Sequence, residues 1–372
     1  MLPDALDAWL RLTTTPGVGP ATARRLLTAL GPAESVFAAS PATLTHLVGE
    51  RLAQALLDHG AAADALVRET LNWCAAEPEH RHVITLADAA YPQALLHTED
   101  PPVLLYVQGR LDALTHARSI AVVGSRHPTP QGVENARHFA HELGKAGVCV
   151  VSGLALGIDG AAHEGALDAG ALTVAVVGTG LDRVYPRRHH ALAHRIAQQG
   201  ALVSEYPLGT PPLAPHFPRR NRIIAGLAHG TLVVEAALRS GSLITAELAL
   251  QMGREVFAIP GSIHAPQSRG CHALIRQGAL LVESAADILQ DLRHVLGPAE
   301  DAPVTTAPST PTPPADPCPL LQALGFDPAD LDTLQARTGW DTAALQARLL
   351  ELELDGRVQR MPGGRFQRLA RA

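Results

Sequence analysis

The chain has 372 residues, 47% hydrophobic and only 18% charged, with a formal net charge of −6. That length exceeds one ordinary domain, and that composition excludes a disordered polymer. No apolar run approaches the ~18 residues of a membrane span, and the first seven residues hold two acids and no base, so a cytoplasmic protein without a secretory leader is expected.

Residues 1–75 read as a helical domain. Leu6, Trp9 and Leu10, and later Leu52, Leu56 and Leu57, recur at helical spacing. Between them lies TTPGVGPATARRLLTAL, where Pro16-Gly17-Val18-Gly19 makes a tight turn before a second helix. Two readings fit: a SAM-like helix-hairpin-helix, whose turn offers backbone N–H groups to a phosphate, or a plain turn between packed helices. Residues 76–296 have another rhythm. A run in DPPVLLYVQG is followed by β-branched runs at 120–123, 148–151, 173–177, 202–203, 231–234 and 255–259, spaced by 24 to 29 residues. Each interval holds a strand, a loop and an Ala-rich helix. The fold class expected is α/β, an extended Rossmann-like, doubly wound parallel sheet covered on both faces. Residues 297–319, rich in Pro, Ala and Thr, read as an extended linker. Residues 320–372 read as a winged helix: two helices capped by Asp327 and Asp341, then two strands around Pro-Gly-Gly. From Arg357 onward this unit has five arginines and no acid. Cys74, Cys149, Cys271 and Cys318 form no CxxC pair, and the 18 histidines include no HExxH, so no metal site or disulfide framework is expected.

In a doubly wound sheet the ligand site lies at the C-terminal ends of the strands. Small residues stand there repeatedly: Gly124 and Ser125 before Arg126; Ser152 and Gly153 before Gly157 and Gly160; Gly178, Thr179 and Gly180 before Arg187 and Arg188; and Ser240, Gly241 and Ser242. One such loop says little. Several in register collect helix N-termini on one edge and point to a phosphate-bearing ligand. The GxGxxG and GxxxxGK[ST] fingerprints are absent, which disfavours a dehydrogenase and a P-loop ATPase. Residues 181–230 carry seven arginines (183, 187, 188, 195, 219, 220 and 222) against Asp182 and Glu205, a local +5. With Arg126 they are expected to converge on one rim for a polyanion. Phe217, in HFPRRNRIIAGL, either offers a base a stacking face or plugs the edge of the core.

The series VVGSR, SGLALGIDGAAHEGAL, GTGLDRVYP, SEYPLGTPP, HFPRRNRIIAGL, RSGSLITAELAL and REVFAIPG resembles the DNA-processing protein A (DprA/Smf) family over most of residues 80–290. The resemblance implies a protein that binds single-stranded DNA, protects incoming strands in natural transformation, helps load a RecA-type recombinase, and forms a homodimer through its Rossmann domains. It implies no enzyme activity, no cofactor and no membrane. Its DNA contacts map onto Arg126, Arg187 (or Arg188), Phe217, Arg220, Asn221, Arg222, Ser152 and Gly153. Gly124, Ser125, Gly178, Arg219, Ser240 and Gly241 join them from the strand-end reading. One departure is Gln131, where the family commonly has tyrosine. For the dimer, an apolar patch is expected from Ala273, Leu274, Leu280, Leu281, Ile288 and Leu289.

The rival is a Rossmann-fold nucleotide-binding enzyme of the phosphoribohydrolase (lysine-decarboxylase-like) group, marked by PGGxGTxxE. Aligned on Glu247, this chain has Leu243 and Ile244 in place of Gly-Thr, which removes the close backbone approach and the hydroxyl that a phosphate would use. A regulator acting through the winged helix is a third reading, and a weaker one because the central domain carries most of the signal.

Overall fold

The computed structural model describes residues 3–58, 61–296 and 318–369. The N-terminal segment forms α1 (Pro3–Thr14), α2 (Pro20–Leu30), α3 (Ala33–Ala38), α4 (Pro41–Val48), α5 (Glu50–Leu57) and α6 (Ala61–Ala76). Gly17, at φ +86°, makes the turn between α1 and α2, and Pro20 opens α2 where its missing N–H costs nothing. Ser40 caps α4 by accepting from the Thr43 N–H. Leu10, Leu26, Val36, Leu44 and Leu56 are fully buried, each worth roughly 1.5–3 kcal/mol. The cluster they form continues into Tyr106, Ala175 and Leu202 of the central sheet. The helices therefore pack on one face of that sheet.

The central sheet has nine strands: β1 (Arg81–Thr85), β2 (Leu104–Gly109), β3 (Ser119–Val123), β4 (Cys149–Ser152), β5 (Thr173–Val176), β6 (Ala201–Ser204), β7 (Gly230–Val233), β8 (Glu255–Ala258) and β9 (Leu280–Leu281). Their order is β1-β2-β6-β5-β4-β3-β7-β8-β9. From β6 to β9 all pairs are parallel, as expected. At the other edge β2 runs antiparallel to β6, and β1 to β2, so the sheet is mixed there. The link between β1 and β2 holds only the four-residue α7 (Gln93–Leu96), too short to lie along a sheet face as a crossover helix. The order reverses between β3 and β7, so the crevice beyond their C-terminal ends is the topological switch point.

The crossover helices are α8 (Pro130–Lys145), α9 (Ile158–Asp168), α10 (His190–Gln199), α11 (His216–Leu227) and α12 (Gly241–Gln251), followed by α13 (Arg269–Arg276), α14 (Ala285–Asp291) and α15 (Arg293–Leu296). One face of the sheet packs on α11 and α12 through Ile223, Ile224 and Ala246, the other on α8 and α9 through Phe139, Leu143 and Ile158. Leu274 and Ile288 belong to these cores, which shrinks the apolar patch expected there. Leu280 and Leu281, on the terminal strand β9, stay exposed.

The C-terminal unit is α16 (Pro319–Leu324), β10 (Ala329–Asp330), α17 (Leu331–Thr338), α18 (Thr342–Leu354), β11 (Val358–Met361) and β12 (Arg365–Arg368), with sheet order β10-β12-β11. It has the helices and hairpin of a winged helix around Leu321, Leu334, Leu349 and Phe366. Gly363 and Gly364 both take positive φ in the hairpin turn. Asp341 caps α18, but α17 is capped by Asp330 and not by Asp327. Pairing of Ala329 and Asp330 with β12 keeps the chain extended until Leu331. Residues 297–317 of the expected linker lie outside the described residues.

Candidate nucleic-acid interface

A cavity of about 410 Å³ opens at the switch point. Three elements build it. The first follows β3. Gly124 lies so close to Ile158 and to the Glu235 carbonyl that a Cβ there would meet them at 2.6 and 2.9 Å. The Ser125 N–H donates to the Glu235 carbonyl at 2.7 Å, and Arg126 projects outward, exposed. Glu235, at the end of β7, holds this loop: its carboxylate accepts from the Thr129 N–H at 2.9 Å and from the Thr129 hydroxyl, while Thr129 caps α8. Burial pushes the Glu235 carboxyl up, and the Thr129 hydrogen bonds oppose that. Sequence reasoning missed Glu235, because its partner is 106 residues away.

The second wall is the start of α12. Ser240 is its N-cap, so the first N–H groups of an 11-residue helix face the cavity beside Gly241 and Ser242. Arg239 stands next to them, exposed, and was not singled out in the sequence.

The third wall is α11. All of HFPRRNRIIAGL is helical, so successive residues turn by about 100° and the arginines cannot share a face. Phe217 faces the cavity mouth. The Arg126 guanidinium lies 5.4 Å from its ring centroid, and the Tyr185 ring centroid lies 5.5 Å from it. Tyr185, 46% exposed, was also missed, although it stands two residues before Arg187. Arg220 turns inward and forms the floor. It is 4% exposed, and its Nη1 donates to the carbonyls of Gly153, at 2.7 Å, and Val176. Its Nη2 is 4.0 Å from the Asp159 carboxylate. Burial lowers Arg220 to about 10 and raises Asp159, each partly offset by the other's charge. A Cβ on Gly153 would overlap the Arg220 guanidinium, which explains glycine there. Asn221 Nδ2 donates to the Gly241 carbonyl at 3.3 Å, tying α11 to α12.

The expected single arginine rim is therefore divided. Arg222 points away from the cavity and pairs with Asp100 at 3.1 Å and Glu205 at 2.6 Å. Arg219 is half-exposed, 3.9 Å from Glu205. Arg183 pairs with Asp182, and Arg195 with Asp168. Arg187 and Arg188 are exposed on a short 3₁₀ turn, without a carboxylate partner among the described residues, but outside this cavity. Ser152 is fully buried and donates to the Val122 carbonyl at 2.6 Å. Gly178 leaves room for Phe217 and His216, which a Cβ would contact at 3.3 and 3.4 Å. Thus Gly124, Ser125, Arg126, Phe217, Arg220, Asn221, Ser240 and Gly241 line the cavity. Ser152, Gly153, Gly178, Arg187, Arg188, Arg219 and Arg222 do not.

The cavity's charged lining is three arginines (126, 220 and 239) against Asp159, a balance of +2, with an aromatic face at its mouth. That chemistry suits a phosphate with a flat ring attached. Glu247 is exposed on the outer side of α12 and is absent from the lining, so the acid that the rival enzyme reading needs is not at the site. Among the described residues, no helix is long and apolar enough to cross a membrane.

Comparison with known proteins gives three matches along the chain. Residues 82–293 match the model of DNA recombination-mediator protein A, residues 304–364 a DprA winged helix domain, and residues 10–60 a SAM-like helix-hairpin-helix tandem. The chain is 48% identical to protein Smf of Escherichia coli over 302 residues, covering 80% of each. It is 49% identical to DNA processing protein DprA of Streptococcus pneumoniae over 207 residues, 56% of this chain and 73% of that protein. The X-ray structure of the pneumococcal protein superposes with a TM-score of 0.61 at 36% identity, covering 77% of this chain and 97% of that one. A Helicobacter pylori DprA structure, which concerns that protein's single-stranded DNA binding mode, superposes with a TM-score of 0.53 at 32% identity, covering 58% of this chain and 98% of that one.

Proposed function

The chain belongs to the DNA-processing protein A (DprA/Smf) family, and we propose that it binds single-stranded DNA at the switch-point cavity. It is a DNA-processing protein of natural transformation. The observation that carries the binding reading is the stack of Arg126 on Phe217, with Tyr185 behind, beside the capped N-terminus of α12. A strand laid there has a phosphate within reach of Arg126, Arg239 and the α12 N–H groups, and a base against Phe217. Nothing in the cavity demands a particular base, so binding is sequence-tolerant. In this reading Arg220 and Asn221 shape the floor, Arg187, Arg188 and Arg219 extend the positive surface beyond the cavity, and the protein acts as a binder, not an enzyme.

Three further parts belong to the same reading. The working units are residues 1–75, 76–296 and 320–372, joined by the 297–319 linker. Two copies pair through their Rossmann domains, with exposed Leu280 and Leu281 on edge strand β9 as the seam. The bound strand is handed to a RecA-type recombinase in the cytoplasm.

The test is a titration of the purified chain against single-stranded and duplex DNA across salt concentrations. Single strands are expected to bind more tightly, with affinity falling by a log–log slope of roughly 0.7 per phosphate neutralised. Equal affinity for duplex, or no salt dependence, overturns the reading.

A further inference from the structure

On the far side of Tyr185 lies a second cavity, of about 550 Å³, between α6, the β1–β2 edge, the 181–187 loop and α10. Its floor is apolar, including Leu154, Val177 and Leu202, and its rim is aromatic and cationic. Trp73 comes from α6. Arg81, on β1, sets its guanidinium 5.5 Å from the Trp73 ring centroid. The same guanidinium pairs through Nη2 with Glu77 at 2.5 Å, which holds it against the ring. Gln108 stands opposite Arg81 in the β1–β2 register. From the 181–187 loop come Arg183, held by Asp182, and Arg187, which has no carboxylate partner among the described residues. Of the three arginines in the lining, Arg81 pairs with Glu77 and Arg183 with Asp182, which leaves Arg187 as the open charge.

The two cavities share a wall. Leu154 lines the second and Ala155 the first. Leu154 sits at φ +58°, a left-handed conformation that a branched side chain adopts only under constraint. The constraint is visible: its carbonyl accepts from His189 Nδ1 at 2.9 Å, which ties the wall to the base of α10. Over the top of this wall runs the chain of contacts Arg126, Phe217, Tyr185, with Tyr185 itself lining the second cavity.

We infer that the second cavity is another nucleotide subsite for the same single strand, in which the N-terminal helical unit supplies the stacking residue, Trp73. The inference rests on the single-strand reading of the first cavity. A strand leaving Phe217 crosses Tyr185 and enters beside Arg187, which takes a phosphate. The base sits against the Trp73 edge of the cavity, where Gln108 meets its polar edge. The volume falls in the range of small-ligand pockets, and the mixture of apolar floor, ring and arginine is that of a sequence-tolerant nucleotide site. Strand length then decides whether one or both subsites are filled.

The experiment is a length series of oligothymidylates, from about 4 to about 16 nucleotides, titrated against the full chain and its Trp73→Ala, Trp73→Phe and Arg187→Ala variants. Affinity in the parent is expected to rise a second time once the strand spans both cavities. Trp73→Ala removes roughly five- to hundredfold of affinity for long strands and leaves the shortest unchanged, while Trp73→Phe restores most of the loss. Arg187→Ala, at an exposed arginine, weakens long strands only, and it decides alone if Trp73→Ala fails to fold. Unchanged long-strand affinity in the variants, or equal weakening at every length, overturns the second subsite while short-strand binding leaves the first intact. Failure of the parent to bind any length overturns the first reading instead.

Discussion

Arg126 and Arg220 stand at the same cavity and do opposite work. Arg220 is sealed under the floor, giving its donors to two strand-end carbonyls with Asp159 beside it. Arg126 is exposed at the mouth, packed on the Phe217 ring. A buried guanidinium with fixed partners holds architecture, and its charge is already used. An exposed one without a carboxylate is free for a phosphate. The same division runs through the whole basic stretch. Arg183, Arg195, Arg219, Arg220 and Arg222 each have a carboxylate within 4.0 Å, whereas Arg187 and Arg188 have none among the described residues.

The sharpest way to break this comparison is to remove the floor arginine. Arg220→Ala leaves Asp159 buried without its partner and two carbonyls without a donor. Breaking a buried pair costs about 3–5 kcal/mol, so a large loss of stability is expected in urea unfolding, in contrast to the binding defect with an intact fold that a rim position predicts. A variant as stable as the parent would place Arg220 functionally with Arg126.

Arg126→Ala tests the other side. Loss of a charge-assisted phosphate contact is expected to weaken single-strand binding by about 1.5–3 kcal/mol, roughly tenfold to a hundredfold. Its melting temperature should stay that of the parent, because an exposed side chain away from core packing changes stability by about 0.5 kcal/mol or less. If stability falls while affinity holds, rim and floor have been assigned in reverse.

Smallest per pH unit, and confined to the floor, is a pH dependence. His163, one turn after Asp159 on α9, is fully buried. Its Nδ1 lies 2.7 Å from the Thr173 hydroxyl, and its Nε2 has no partner among the described residues. Burial, with His189 and Arg220 adding to it, depresses His163 to about 3, against an ordinary value of 6.5. The folded state thus binds fewer protons than the unfolded one between those values. The contribution is fully present above about pH 6.5 and is lost as pH falls toward 3, by up to about 1.4 kcal/mol per pH unit. Urea unfolding of the parent and of His163→Gln across pH 4–7 should differ in slope by about one proton. Parallel curves would mean that this histidine does not titrate on unfolding.

Much of this architecture is legible in one dimension. The runs at 120–123, 148–151 and 231–234 become β3, β4 and β7, because parallel strands buried on both faces need continuous apolar residues. Strand β1, RHVIT, escaped notice because only Ile84 and Thr85 are buried, and β9 because it is two residues long. In the site, Arg126 and Phe217 were readable from their loops. Tyr185, Arg239 and Trp73 were not, since nothing local separates an aromatic or an arginine at a cavity from one on any other surface.

By itself the sequence determined the parallel strand rhythm, the small-residue turns at the strand ends and the family motif series, all of which depend on residues within one strand–loop–helix unit. Only the tertiary structure decided which positive charges are spent. Arg222 is neutralised by Asp100, 122 residues away, and Arg220 donates to Gly153, 67 residues away. A charge count along the chain sees +5 between residues 181 and 230, but Coulomb attraction and hydrogen bonding act through space, so partners from distant segments leave the exposed arginines as the ones open to a ligand.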